Sequence, residues 1–88
     1  MSKIEIYTSP FCGFCSRAKR LLHSKGIKFD EIDIFSALGA RDEMLRRTGG
    51  RTSVPQIFAD GIYVGDCDGI HMLEANGELE AKLGLGKK

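Results

Sequence analysis

Two cysteines three positions apart, Cys12 and Cys15, stand where one residue pattern stops and another begins. Before them, Lys3-Ile4-Glu5-Ile6-Tyr7-Thr8 alternates polar and apolar side chains, the period of a strand. Ser9-Pro10-Phe11 is a short connection. After them, the run from Gly13 to Lys25 carries Phe14, Ala18, Leu21 and Leu22 near one helical face, and Gly26 stops it. Both cysteines therefore belong to the first turn of a helix that a strand delivers. A chain built this way must pack the helix back over its strand and find that strand a neighbour. A Cys-x-x-Cys pair at such a junction points to redox chemistry.

The rest of the chain supplies the neighbours. Residues 27–34 suggest a second strand, clearest at Ile32-Asp33-Ile34, and a β-α-β order favours a parallel pair. A short helix is expected over 40–48, carrying Met44 and Leu45 and ended by Gly49-Gly50. Val54-Pro55 leads into Gln56-Ile57-Phe58-Ala59. Asp60-Gly61 then signals a hairpin, with Ile62-Tyr63-Val64 returning. Gly65 to Gly69 turns into a helix expected at about 69–76 with Asp68 as its cap, and a last helix covers about 78–84. Residues 85–88 read as a flexible tail. The fold class is α/β, a four-stranded mixed β-sheet flanked by helices, in one domain over residues 1–88.

Composition excludes more than it identifies. The charges nearly cancel, at a net +1, and form no basic block, so a nucleic-acid partner is not expected. No apolar run approaches the roughly 20 residues of a membrane helix. The N-terminus runs straight into the first strand without an apolar leader, so the expected compartment is the cytoplasm. The cysteine count is three, and an odd number argues against a secreted disulfide scaffold. In a reducing compartment a close pair is catalytic, redox-sensing or metal-binding.

Thiol–disulfide exchange needs a thiolate as attacker, and an ordinary cysteine is mostly thiol at neutral pH. Cys12, at the helix start, faces unpaired backbone N–H groups that favour negative charge, which makes it the expected nucleophile. Cys15 lies one turn further in, beside Ala18 and Leu22, as a shielded resolving thiol suits. A pair of ordinary core cysteines is the plain alternative. Zinc is another, since Cys67 and His71 have ligand-like spacing. About 50 residues separate the two pairs, longer than small zinc modules use, so no metal is expected. His23 and His71 fall in expected helices without a carboxylate partner and are read as surface or half-buried side chains.

Taken together, Ile6-Tyr7-Thr8, Cys12 to Cys15 with Ala18-Lys19 and Leu21-Leu22, Ser53-Val54-Pro55-Gln56-Ile57-Phe58, and Gly65-Asp66-Cys67-Asp68 resemble a glutaredoxin, in particular the small bacterial dithiol members. The resemblance implies a thioredoxin-like fold and glutathione as reductant. It implies a cis Val54-Pro55 bond facing the cysteines, with Val54 offering its backbone to an extended thiol. The γ-glutamyl end of glutathione would meet Cys67 and Asp68 at a helix start. The glycyl carboxylate would take Arg47 or Arg51, with Phe14 and Pro55 completing the glutathione-binding set. Partners would be glutathione and disulfide-bearing or glutathionylated proteins, met by a monomer. In the monothiol route Cys12 takes up glutathione, and in the dithiol route Cys15 resolves a mixed disulfide with a protein.

The chain departs from the common pattern at three places. Gly13-Phe14 replaces Pro-Tyr, Ser9 replaces a lysine, and Gly65-Asp66-Cys67-Asp68-Gly69 replaces Gly-Gly-Cys-Asp-Asp. Gly13-Phe14 is the middle pair of the single-cysteine branch, which implies an alternative function: a carrier dimer holding a [2Fe–2S] cluster through Cys12 and glutathione.

Overall fold

The computed structural model describes residues 3–84, so the tail expected at 85–88 lies outside the described residues. The elements follow in the order β1 (Ile4–Thr8), α1 (Gly13–Ser24), β2 (Asp30–Asp33), α2 (Ala40–Thr48), β3 (Gln56–Ala59), β4 (Ile62–Gly65), α3 (Cys67–Ala75) and α4 (Leu79–Lys82). The strands form one four-stranded sheet in the order β2-β1-β3-β4. β1 and β2 are parallel, with Ile6 opposite Glu31, whereas β3 runs antiparallel to both β1 and β4.

Strand alternation sorts the core into two layers. Ile4, Ile6, Ile57 and Ala59 face one side, where they meet Ala18 and Leu22 of α1, Ile70 of α3, and Leu79 and Leu83 at α4. Tyr7 and Phe58 face the other side, against Ala40 and Met44 of α2. A one-residue slip of β1 would exchange these sets, setting the isoleucines against α2 and Tyr7 against α1, so the different packing on the two faces fixes its register.

Two expected boundaries move. β2 begins at Asp30 rather than 27, because Ile27 is still finishing the helix: its N–H donates to Leu22 O at 3.0 Å, and its side chain is buried in the α1 layer. α3 begins at Cys67, two residues before the expected start, and its cap is Asp66 rather than Asp68. The Asp66 carboxylate accepts from Gly69 N–H at 2.8 Å, one of the donors a helix start leaves unpaired.

The topology brings the chemistry to one end of the sheet. β1 ends there and gives way to the cysteine loop. β3 starts there because it is antiparallel, so Val54-Pro55 arrives alongside. β4 reverses again and ends there, delivering Asp66, Cys67 and Asp68.

Candidate active site

Cys12 is the N-cap residue of α1, with extended backbone angles of φ −105° and ψ 114°. Its carbonyl starts the helix ladder by accepting from Ser16 N–H at 3.1 Å. Its Sγ lies over the open end of that ladder and accepts from Cys15 N–H at 3.3 Å. No acidic residue occupies the first turn of α1 to compete for the helix's positive end. Burial pushes the Cys12 thiol up, but hydrogen bonds from the Cys15 thiol and from the backbone N–H groups of Cys15 and Phe14 outweigh it, and Cys12 ends below its ordinary value.

Cys15 is different in each respect. It is 2 % exposed, in the buried stripe it shares with Ala18 and Leu22. Burial first, and then the hydrogen bond to Cys12, push its thiol up to about 12. A backbone hydrogen bond from Ser9 and the nearby Lys19 charge offset only part of this. Cys12 and Cys15 are free thiols that approach to 3.1 Å. One sulfur is thus made acidic and partly accessible, while its neighbour is kept protonated and hidden.

This asymmetry sets a pH dependence. Thiolate, not thiol, reacts with an alkylating reagent, so the rate rises with pH and levels off once the thiol has ionised. Iodoacetamide should modify Cys12 with a midpoint below the ~8.5 of an ordinary cysteine. Cys15 should stay unmodified over the same range, read by peptide mass spectrometry. A Cys12 midpoint at or above that of a free cysteine would contradict the assignment.

The wall facing Cys12 comes from the 53–55 segment. The Val54-Pro55 peptide bond is cis, and Val54 O lies 3.9 Å from Cys12 Sγ. Gln56, fully buried, pins the segment: its Nε2 donates to Ser53 O at 2.9 Å, while Tyr63 O–H donates to its Oε1 at 2.7 Å. A cavity of about 170 Å³ lies here, lined by Phe14, Ser53, Val54 and Pro55 on one side and Asp66, Cys67 and Asp68 on the other. A larger cavity of about 860 Å³, along the β2 edge, contains no cysteine and lies away from the reactive sulfurs. Phe11 and Phe14 are both exposed beside Cys12, and Phe11 holds a left-handed φ of 59°.

Phe14, Val54, Pro55, Cys67 and Asp68 thus line one cavity, and Val54 of its wall reaches Cys12 Sγ. Phe14 was expected on the packed face of α1, but it flanks the Cys15-Ala18-Leu22 stripe and is 56 % exposed. Cys67 is 3 % exposed, so its thiol is shielded from solvent. Burial pushes its thiol up, with Arg17 offsetting only part. Its Sγ is 3.6 Å from His71 Nδ1, which also lies 2.8 Å from Cys67 O; this is an i, i+4 contact within α3. Among the described residues no group of three or more His, Cys, Asp or Glu is placed to hold a metal ion.

The two arginines part ways. Arg47 lies on the α2 side of the sheet, donating to Tyr7 Oη at 2.7 Å and to Glu5 Oε1 at 3.0 Å. Its guanidinium stacks 4.1 Å over the Phe58 ring, and Tyr7 in turn donates to Glu43 at 2.6 Å. Arg51 is exposed, with its guanidinium 5.5 Å from the Tyr63 ring. Ser53 and Asp66, quoted in the sequence motifs but left out of the expected glutathione-binding set, also line the cavity. The signal for Asp66 was present, since an aspartate three residues before a glycine N–H at a helix start is a capping pattern.

Comparison with known proteins agrees with this geometry. The glutaredoxin family model matches residues 4–64. Glutaredoxin 3 of Escherichia coli K12 is 47 % identical over 83 residues, covering 94 % of this chain and 99 % of that protein. The solution structure of glutaredoxin from Brucella melitensis superposes with a TM-score of 0.80 at 44 % identity, covering 98 % of this chain and 92 % of that one. A buckwheat glutaredoxin–glutathione complex superposes with a TM-score of 0.83 at 26 % identity, covering 94 % and 77 %. The chain belongs to the glutaredoxin family and, with its paired thiols, is a thiol–disulfide oxidoreductase of thioredoxin-like fold.

Proposed function

We propose that this protein reduces glutathione mixed disulfides and protein disulfides with electrons from glutathione, Cys12 attacking and Cys15 resolving. The observation that carries this reading is the unequal pair: an acidified Cys12 at the head of α1 with a buried, protonated Cys15 at 3.1 Å.

In the first route, Cys12 Sγ bonds to the glutathione sulfur of a mixed disulfide and the protein thiolate leaves. A second glutathione thiolate then attacks that sulfur, glutathione disulfide departs, and the Cys12 thiolate is restored. In the second route, Cys12 bonds to one sulfur of a protein disulfide. Cys15 then attacks Cys12 Sγ, the protein is released with both sulfurs reduced, and two glutathiones reduce the Cys12–Cys15 disulfide. The first bond also readies Cys15. Burial remains, but the hydrogen bond and charge of the Cys12 thiolate, which both raise the Cys15 thiol, vanish once Cys12 Sγ is neutral. Resolution therefore becomes easier only after capture.

Glutathione enters the cavity beside Cys12, meeting the Val54 backbone, Pro55, Phe14 and the start of α3 at Cys67 and Asp68. The buckwheat complex supports glutathione as the ligand. Arg51 is favoured for the glycyl carboxylate, because Arg47 is engaged with Glu5 and Tyr7. Arg51→Ala should raise KM for a glutathionylated peptide about fivefold, the size of an exposed ion pair, with little change in stability. Arg47→Met should instead lower folding stability by about 2 kcal/mol, less than a fully buried pair because both partners keep some exposure. Urea unfolding and steady-state assays on both variants check this; a KM effect confined to Arg47→Met would reverse the assignment.

The protein acts as a monomer in the cytoplasm, where glutathione is abundant and disulfides are kept reduced. No helix among the described residues is long and apolar enough to cross a membrane. Carriage of a [2Fe–2S] cluster ranks second. One chain offers Cys12 as its only accessible thiolate, so a single chain does not fit the cluster, and Cys15 competes for that sulfur at 3.1 Å.

A further inference from the structure

The cavity beside Cys12 has charged lining residues of one sign. Its two charged lining residues, Asp66 and Asp68, are both carboxylates, and no cation lines it. Burial raises the Cys67 and Tyr63 groups first; Arg17 and Arg51 then lower them from outside the cavity, and the aspartates raise them, Asp68 and Asp66 at Cys67 and Asp66 at Tyr63. Asp66 is held in place as well as charged. Its Oδ1 accepts from Gly69 N–H at 2.8 Å, so part of the positive end of α3 is already answered by a carboxylate of the chain itself. Gly69 leaves room for it: a Cβ there would come within 3.3 Å of Asp66 Oδ1, a tight contact that a small shift of the carboxylate would relieve. The turn thus carries its second carboxylate at 66, on the cavity wall, and a glycine at 69. In the common family pattern the glycine is at 66 and the carboxylate at 69.

We infer that Asp66 is a specificity-determining residue: it makes the cavity disfavour thiols that bring carboxylates and favour those that bring an ammonium group next to the sulfur. The inference rests on the proposed capture of small thiols at Cys12 in this cavity. Its consequence for substrates is concrete. Glutathione, with two carboxylates and one ammonium, is bound against a repulsion, whereas a small amino-thiol or a cysteine flanked by lysine or arginine is drawn in. Like charges within several ångströms at a partly solvated site change binding by about tenfold, and salt weakens the effect.

The test uses one peptide whose single cysteine carries either glutathione or cysteamine, a thiol with an ammonium and no carboxylate. Release of the peptide thiol is followed for the wild type and for Asp66→Asn. Asparagine caps a helix as well as aspartate does, so the variant removes the charge and keeps the turn. The ratio of kcat/KM for the glutathione adduct to that for the cysteamine adduct should rise about tenfold in Asp66→Asn at low salt, through KM, and the difference should shrink at high salt. An unchanged or lower ratio, with both proteins still reducing the glutathionylated peptide, would overturn the role of Asp66 and leave the proposed function standing. A wild type idle on both adducts at every concentration would overturn the proposed function and this inference with it.

Discussion

Cys12→Ser should abolish reduction of every disulfide substrate, leaving only the slow background of glutathione itself. The loss should exceed about 10³-fold, because the variant removes the atom that becomes covalently bonded, not a group that assists it. Serine at the N-cap still accepts the backbone N–H groups that Cys12 Sγ accepts, so α1 should keep its start and the fold its stability. That separation makes the result decisive: a folded, inactive protein is expected, by circular dichroism and by a glutathione-coupled assay. Appreciable residual turnover would move the nucleophile elsewhere. Cys67 is a poor replacement, since burial raises its thiol and leaves it 3 % exposed.

Cys15→Ser should divide the two substrate classes. Reduction of a glutathionylated peptide needs only Cys12 and a second glutathione, so it should persist at near the wild-type rate. Reduction of a protein disulfide needs an internal thiol to free Cys12 from the captured protein, so it should fall by about 10²-fold or more, with the mixed disulfide accumulating. The magnitude reflects the loss of an attacking sulfur already held at 3.1 Å from its target. Equal loss on both substrates would mean that Cys15 acts in capture rather than resolution.

Much of the site was legible because it depends on local rules. An alternating run, two cysteines and a helical run place Cys12 at an N-cap without knowledge of the rest of the chain. The Asp60-Gly61 hairpin was equally local, and both residues take the positive φ such a turn needs, 53° and 83°. The less legible features depend on contacts between distant residues or on choices that local rules leave open. Asp66 and Asp68 both look like caps; which one turns its carboxylate to Gly69 N–H depends on where β4 ends. Arg47 and Arg51 are similar in sequence, but Glu5 and Tyr7, about 40 residues away in the chain, hold only Arg47. Phe14 and Cys15 compete for the buried stripe of α1, and the sheet takes Cys15. In each case the residue type was visible and its neighbour was not.

The capture step can be read directly. The Cys15→Ser variant, which cannot resolve, is mixed with a glutathionylated peptide without free glutathione, quenched in acid, and analysed by intact and peptide mass spectrometry. One glutathione per chain, on the peptide containing Cys12 and removed by added glutathione, is the predicted result. No adduct, or an adduct on Cys67, would contradict the account.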